Sequence, residues 1–176
     1  MRASGEGRLA FVTSLRRALI APLLALALVP AAPAGSAAGG SPTARISRLE
    51  DKIVRCTNRE RAVRGIPKLR RSPALRQAAR YHARNMLRYD FFRHRDVFGQ
   101  SPAERVARFS RGGRFRWVGE NIAVGRWSPG ALCRAWMGSP AHRANMLNGR
   151  FTMIGVGYAK APNGRTYYVQ DFGSQR

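Results

Sequence analysis

The chain has 176 residues, which gives room for one domain with a modest core rather than two. Lysine and arginine together number 32 and aspartate and glutamate only 9, so the formal net charge is +23. The apolar content of 44% excludes a disordered basic tail, and two cysteines are too few for a disulfide scaffold or a cysteine-rich zinc module. The composition therefore predicts one compact, strongly basic globular domain.

Residues 1–34 are typical of a secretory signal peptide. Arginines precede an apolar run from Ala18 to Val29, and Ala32-Pro33-Ala34 is a candidate cleavage site. The run is shorter than the ~20 residues that a membrane span needs, although a leader retained as an anchor is the alternative. We therefore expect a secreted or extracytoplasmic protein of the cell envelope. Once the leader is cleaved, we do not expect it to be an integral membrane protein.

Export changes how the cysteines and the charge are interpreted. Cys56 and Cys133 would enter an oxidising compartment, where a pair is usually bonded, so we predict a disulfide between them; two buried free thiols are the alternative. Outside the cell, the anions within reach are lipid head groups, wall polymers and glycans. Nucleic acid, which such a charge would suggest inside a cell, is therefore not expected as a partner.

Helix signals recur along the chain after a flexible Gly/Ser/Ala/Pro linker at 35–44. The first helix is predicted over about 48–64, with Ser47 and Glu50 as a capping box. Four Ser-Pro pairs then precede helical patterns, because serine caps a helix well and proline fits its first position. These predicted helices are Pro73 to Tyr89, Pro102 to Phe109, Pro129 to Met137 and Pro140 to Leu147.

Strand signals occupy the later part of the chain. Phe115 to Val124, Phe151 to Ala159 and Thr166 to Phe172 are predicted strands, and Asn163-Gly164 between the last two indicates a β-hairpin. Helices followed by antiparallel strands predict an α+β fold, with helices on the faces of a small antiparallel sheet.

Three histidines and one carboxylate are candidate site residues. His82 falls on the apolar stripe of the second helix and is interpreted as a core residue. His94 follows Phe91-Phe92 in a loop, and His142 lies in the first turn of a helix. Glu120 lies in an apolar segment, where a carboxylate is costly unless it is paired or bound to a metal. Their spacing matches no local zinc motif.

Several segments, in order over about 45–174, resemble the bacterial branch of the CAP superfamily (SCP-like; cysteine-rich secretory, antigen-five and pathogenesis-related proteins). The Gly119-Glu120-Asn121-Ile122 and Ser139-Pro140-Ala141-His142-Arg143-Ala144-Asn145 stretches are the most specific of them. The other matching segments are Cys56 to Arg61, Phe91 to His94, Ile154 to Tyr158 and Tyr168 to Gly173. The resemblance implies an α-β-α sandwich with a central antiparallel sheet and a solvent-facing cleft.

In that family the cleft is lined by two histidines and two acidic residues, and it binds a divalent metal in some members. The resemblance assigns His94, Glu120 and His142 to it. The second acidic position, three residues after Trp136, is Ser139 here, which we expect to cap the following helix. Two histidines and one glutamate with an open fourth position suit a metal such as zinc, with Glu120 as the candidate catalytic group.

Two functions follow from these observations. The first is a monomeric binding or interaction module that engages anionic lipid, a cell-wall polymer, a glycan or another envelope protein. Arg93, Arg95 and Arg143, close to the cleft residues in sequence, favour anionic ligands there. The alternative is a metal-assisted hydrolase using His94, His142 and Glu120, although the further acid or base that a leaving group requires is not visible.

Overall fold

The computed structural model describes residues 42–112 and 115–175; the predicted signal peptide, and the predicted linker up to residue 41, lie outside them. Within these ranges the strands β1 and β2 lie between helices, and β3 and β4 follow one another at the end. Their bounds are α1 (Pro42–Ala62), β1 (Arg70–Arg71), α2 (Pro73–Arg88), α3 (Pro102–Phe109), β2 (Phe115–Val124), α4 (Pro129–Gly138), α5 (Pro140–Leu147), β3 (Met153–Lys160) and β4 (Thr166–Gln175). The strands form one sheet in the order β1-β3-β4-β2.

The long strands of the sheet pair as the sequence predicts. β3 and β4 form the expected antiparallel hairpin, closed by the pair Lys160 and Thr166, and β4 also pairs antiparallel with β2. The turn contains Gly164 at φ +85°, a backbone conformation that suits glycine. β1 is an addition that the sequence did not reveal, and it pairs parallel with β3. The α+β class is therefore confirmed, with a mixed rather than wholly antiparallel sheet.

The four Ser-Pro helix starts are confirmed, because α2, α3, α4 and α5 each begin at the proline. The hydroxyl oxygens of Ser72, Ser101 and Ser128 each accept a hydrogen bond from a backbone N–H of the first turn. Ser139 occupies the same position before α5, but its side chain makes no capping hydrogen bond. The expectation that Ser139 caps the helix is therefore wrong.

The first helix starts earlier than predicted. α1 begins at Pro42 and not near Arg48, so Ser47 and Glu50 lie inside the helix and the predicted capping box is wrong. Both side chains instead accept hydrogen bonds from Arg80 of α2, whose Nε lies 2.7 Å from Glu50 Oε1 and whose Nη2 lies 3.4 Å from Ser47 Oγ. None of the helices in the described ranges is both long and apolar enough to cross a membrane, and this includes α1 with its 21 residues.

The helices cover both faces of the sheet. α2 and α3 pack on one face, where α2 approaches β3 so closely that a Cβ atom on Gly155 or Gly157 would overlap the α2 backbone. α1, α4 and α5 cover the other face, where Trp136, Met146 and Phe172 are part of the core. The predicted disulfide is confirmed: Cys56 of α1 is bonded to Cys133 of α4.

The alternating direction of side chains along β2 places two neighbouring polar residues on opposite faces of the sheet. Glu120 lies on the α2/α3 face and Asn121 on the α4/α5 face, because successive side chains of a strand point to opposite sides. β2 is also one of the two edge strands of the sheet, so groups from both layers can meet at its outer side.

Candidate functional site

Glu120 forms the centre of the candidate site, and both of its carboxylate oxygens are engaged. Its Oε1 lies 2.8 Å from His94 Nδ1, and its Oε2 lies 2.6 Å from Arg105 Nη2. Because an ionised carboxylate only accepts hydrogen bonds, His94 Nδ1 is protonated and donates to Glu120. Glu120 is 6% exposed, and a carboxylate at that depth is stable only when it is paired in this way.

Arg105 is a site residue that the sequence did not reveal. It belongs to α3, and its side chain is fully buried between Glu120 and the preceding loop, where Nη1 donates to the carbonyl of Gln100 at 2.7 Å. α3 is positioned by a capping box between Ser101 and Glu104, which the sequence did predict. A signal for the helix was therefore present, but among so many arginines nothing marked Arg105 as the buried one.

A second carboxyl group, Asp171 of β4, lies beside Glu120. The two residues are directly opposed in the β2–β4 pairing, and Asp171 is 1% exposed. Burial raises the pKa of Asp171 well above its usual range, and the neighbouring charge of Glu120 and a hydrogen bond to it add to that effect. Burial alone would raise the pKa of Glu120 too, but the hydrogen bond from His94 and the charge of Arg105 help to lower it. Both shifts therefore favour the negative charge on Glu120 over Asp171.

His82 contributes a third group on this face of the sheet. The structure confirms that it is buried in α2, where Nε2 donates to the carbonyl of Arg93 at 3.0 Å and lies 3.9 Å from Glu120 Oε1. Its Nδ1 has no hydrogen-bond partner among the described residues. Burial lowers the pKa of His82, so the imidazole is neutral at neutral pH. Nothing in the sequence connects this core residue with Glu120.

His94 lies in the loop between α2 and α3, and its side chain is 53% exposed. Asp96 holds this loop in shape, because one buried carboxylate oxygen accepts hydrogen bonds from the backbone N–H groups of Phe98 and Gln100, each at 2.9 Å. The loop therefore presents the His94 imidazole at the boundary between the buried Glu120 carboxylate and solvent.

His142 lies close to this pair but does not join it. It is half-buried in the first turn of α5; burial lowers its pKa, and so does the charge of the neighbouring His94. Asn121 and Asn145 attach α5 to β2 through hydrogen bonds to the carbonyls of His142 and Glu120, each at 3.1 Å. In the described part of the chain no hydrogen bond or ion pair links the His142 imidazole to Glu120.

This arrangement does not fit a divalent metal at Glu120. No group of three His, Cys, Asp or Glu residues in the described ranges is arranged to hold a metal ion. The physical reason is that His94 and Arg105 occupy both Glu120 oxygens, and a guanidinium 2.6 Å away would repel a cation. The arginines expected around the cleft, Arg93, Arg95 and Arg143, are exposed and donate to backbone carbonyls.

Comparison with known proteins gives the family. The model of the CAP family, described as the cysteine-rich secretory protein family, matches residues 54–172. The uncharacterized protein YkwD of Bacillus subtilis (strain 168) is 37% identical over 116 residues, which cover 66% of this chain and 44% of that protein. The chain spans less than half the length of the curated relatives it matches.

Solved bacterial structures share the fold. An outer surface protein from Borrelia burgdorferi has a TM-score of 0.68 at 20% identity, covering 73% of this chain and 94% of that one. An extracellular protein containing an SCP domain from Bacillus anthracis str. Ames has a TM-score of 0.64 at 27% identity, covering 77% and 44%. With a family match over more than half of its length, this chain belongs to the CAP family of cysteine-rich secretory proteins, in its bacterial branch.

Proposed function

We propose that this chain is an exported binding module that attaches to an anionic surface or polymer of the cell envelope. One observation carries the proposal: every carboxylate that is at least partly exposed in the described ranges lies within 4.0 Å of an arginine. The pairs are Glu60–Arg64, Asp51–Arg71, Asp90–Arg165 and Glu104–Arg95. With a net charge of +23, the surface therefore offers many cations and no unpaired carboxylate among the described residues.

The buried centre supports a binding role over a catalytic one. A general acid or base must be free to exchange a proton with a reacting group. Glu120 is instead held ionised between His94 and Arg105, and Asp171 is almost wholly enclosed. This cluster joins the α2–α3 loop and α3 to the sheet, which gives it a role in holding the domain together.

The predicted leader and the relatives support a location in the envelope. Residues 1–34 have the pattern of a signal peptide, and the two solved structures are described as an outer surface protein and an extracellular protein. At that location, lipid head groups and wall polymers supply the anions that a basic surface attracts.

Salt dependence tests the proposal. The full chain would be titrated with vesicles that contain anionic or only zwitterionic lipid, and with an immobilised anionic polysaccharide. We expect binding to the anionic probes to weaken at least tenfold between about 0.1 M and 1 M salt, since the Debye length falls from ~10 Å to ~3 Å. Binding that salt does not weaken, or no binding to any anionic probe, would contradict the proposal.

A metal-assisted hydrolase is the second candidate, favoured by the contact between Glu120 and the exposed imidazole of His94. It requires Arg105 to release Glu120, with His94 and His142 as the other zinc ligands. Calorimetric titration of the full chain with zinc is the test. Stoichiometric binding that disappears in His94→Ala and His142→Ala would support this candidate, whereas the absence of binding would remove it.

A further inference from the structure

We propose that a second site, at the turn end of the β3–β4 hairpin, binds an anionic saccharide, meaning a sugar that bears carboxylate or phosphate groups. We call this site the hairpin cavity. It is lined in part by Arg126, Trp127, Tyr158, Lys160, Thr166 and Tyr168. The inference rests on the proposed function, for which it supplies a ligand class and a location.

The hairpin cavity is separate from the Glu120 centre. Tyr158 and Tyr168 pack with the core on the α1/α4 face of the sheet, whereas Glu120 lies on the opposite face. The cavity volume is about 570 Å³, within the range of ~300–1,000 Å³ that small-molecule sites occupy. A sugar unit or two of a polymer can therefore enter it without disturbing Glu120.

Aromatic rings form one wall of the hairpin cavity, and hydrogen bonds hold them in place. The indole N–H of Trp127 donates to the carbonyl of Val124 at 3.2 Å, and the Tyr168 hydroxyl donates to the carbonyl of Trp127 at 3.1 Å. Tyr158 packs on Tyr168 with ring centroids 5.5 Å apart. Trp127 lines the cavity and is 40% exposed, and because its N–H is already bonded, its contact with a ligand would be through apolar ring atoms. Sugar rings bring C–H groups that can pack on an aromatic ring of this kind.

Two cations complete the chemistry of the cavity. Arg126 and Lys160 line it, and no carboxylate among the described residues does. Arg126 is held by a hydrogen bond to the carbonyl of Asn163 and by close packing on the turn, where a Cβ atom on Gly164 would lie 2.9 Å from its Nε. The held Arg126 and the exposed Lys160, beside aromatic rings, favour a ligand that combines a sugar ring with a negative charge.

A second basic groove provides an internal comparison. The groove between α1 and β1 has a similar volume of about 550 Å³ and contains Arg55, Arg59, Lys68 and Arg71, but no aromatic ring of the described ranges lines it. Charge alone would favour this groove over the hairpin cavity. Sugar recognition would favour the hairpin cavity, because aromatic rings line this cavity and not the groove.

The experiment uses two carboxylate polymers, polygalacturonate, which is built of sugars, and polyglutamate, which is not. Binding of the full chain to each would be compared with that of four variants. We expect Trp127→Ala to weaken polygalacturonate binding at least tenfold and to leave polyglutamate binding unchanged. The double variant Arg126→Gln/Lys160→Gln should show a similar loss for polygalacturonate, whereas the matched control Arg55→Gln/Lys68→Gln should lose less than threefold.

The outcomes separate this inference from the proposed function. Two results would refute a saccharide site in the hairpin cavity: unchanged polygalacturonate binding in Trp127→Ala, or a larger loss in the control than in the cavity double variant. Neither result would contradict the proposed binding module. Binding of the unmodified chain to anionic vesicles but not to polygalacturonate has the same meaning. If it binds no anionic probe, both fail. Trp127→Phe keeps a ring and should restore binding, and an unchanged melting temperature of Trp127→Ala excludes misfolding.

Discussion

The two faces of the sheet hold buried polar groups of different kinds. On the α2/α3 face Glu120 meets charged or ionisable partners, namely Arg105, His94, His82 and Asp171. On the other face its neighbour Asn121 meets only neutral groups among the described residues: the amide donates to Gln170 Oε1 at 3.1 Å and accepts from Asn145 Nδ2 at 2.9 Å.

The neutral network continues across the core. Gln170 Nε2 donates to the Thr57 hydroxyl at 2.7 Å, and that hydroxyl donates to the carbonyl of Ile53 in α1 at 3.1 Å. Breaking a neutral network leaves unpaired dipoles, whereas breaking the charged cluster leaves an uncompensated ion. The comparison therefore predicts that the two faces respond differently to substitution and to pH.

The largest effect is expected from Arg105→Met, which leaves the Glu120 charge without its buried partner. We expect the free energy of unfolding to fall by about 3–5 kcal/mol at neutral pH, measured by urea denaturation. The double variant Arg105→Met/Glu120→Leu removes both charges and should recover most of the loss. A loss below about 1 kcal/mol in the single variant would show that the ion pair contributes little.

Removal of the disulfide should produce the next largest effect, on the opposite face. Cys56→Ser/Cys133→Ser frees α1 from α4 and restores chain entropy to the unfolded state. We expect a loss of about 2–4 kcal/mol, seen as a lower melting temperature in calorimetry. The unmodified chain measured with and without reductant is the control, and equal melting temperatures under the two conditions would count against the bond.

A smaller effect is expected from Gln170→Leu, which leaves the Asn121 amide and the Thr57 hydroxyl short of a partner. We expect a loss of about 1–3 kcal/mol. Because none of these groups titrates, the loss should be the same at pH 5.5 as at pH 7.5. A loss that changed with pH would mean that the neutral face is coupled to the charged one.

The smallest effect is a pH dependence that originates on the charged face. Burial lowers the pKa of His82 below its usual value. Near pH 6.5 the imidazole therefore binds a proton in the unfolded chain but stays neutral in the folded one. The contribution of His82 to stability should therefore decrease as the pH falls below about 6.5, because at this residue the unfolded state binds more protons.

His82→Gln tests this dependence, since Gln retains a donor for the carbonyl of Arg93 but does not titrate. Urea denaturation between pH 7.5 and 5.5 should show a smaller loss of stability for the variant than for the unmodified chain. His142, whose pKa burial also lowers, contributes in the same direction, and His142→Gln is the comparison. Identical slopes for His82→Gln and the unmodified chain would contradict a buried neutral His82.

Local signals were enough to predict most of the elements. The Ser-Pro pairs placed the starts of α2 to α5, and Phe115 to Val124 matches β2 at both ends. α1 was predicted to start late because Pro42 follows a Gly/Ser/Ala/Pro stretch and shares its composition. A two-residue strand such as β1 has no periodicity to detect, so its pairing with β3 could only come from the structure.

The partners of Glu120 depend on contacts between distant segments. Strand alternation predicts a buried Glu120 but does not say which cation neutralises it, and nothing in the sequence distinguishes Arg105 from Arg108, the other arginine of α3. Asp171 belongs to a segment that carried the family resemblance, yet its position opposite Glu120 follows only from the β2–β4 register. Whether His94 and His142 act together on a ligand stays a prediction.

Gly155 and Gly157, which carry no side chain and no charge of their own, help to set the geometry of the charged face. Because these positions have no side chains, α2 rests against the backbone of β3, and from there His82 reaches to 3.9 Å from Glu120. One added methyl group would act as a wedge that lifts the helix and withdraws the imidazole from the carboxylate. The spacing between two layers of backbone thereby controls the electrostatic environment of a single acid.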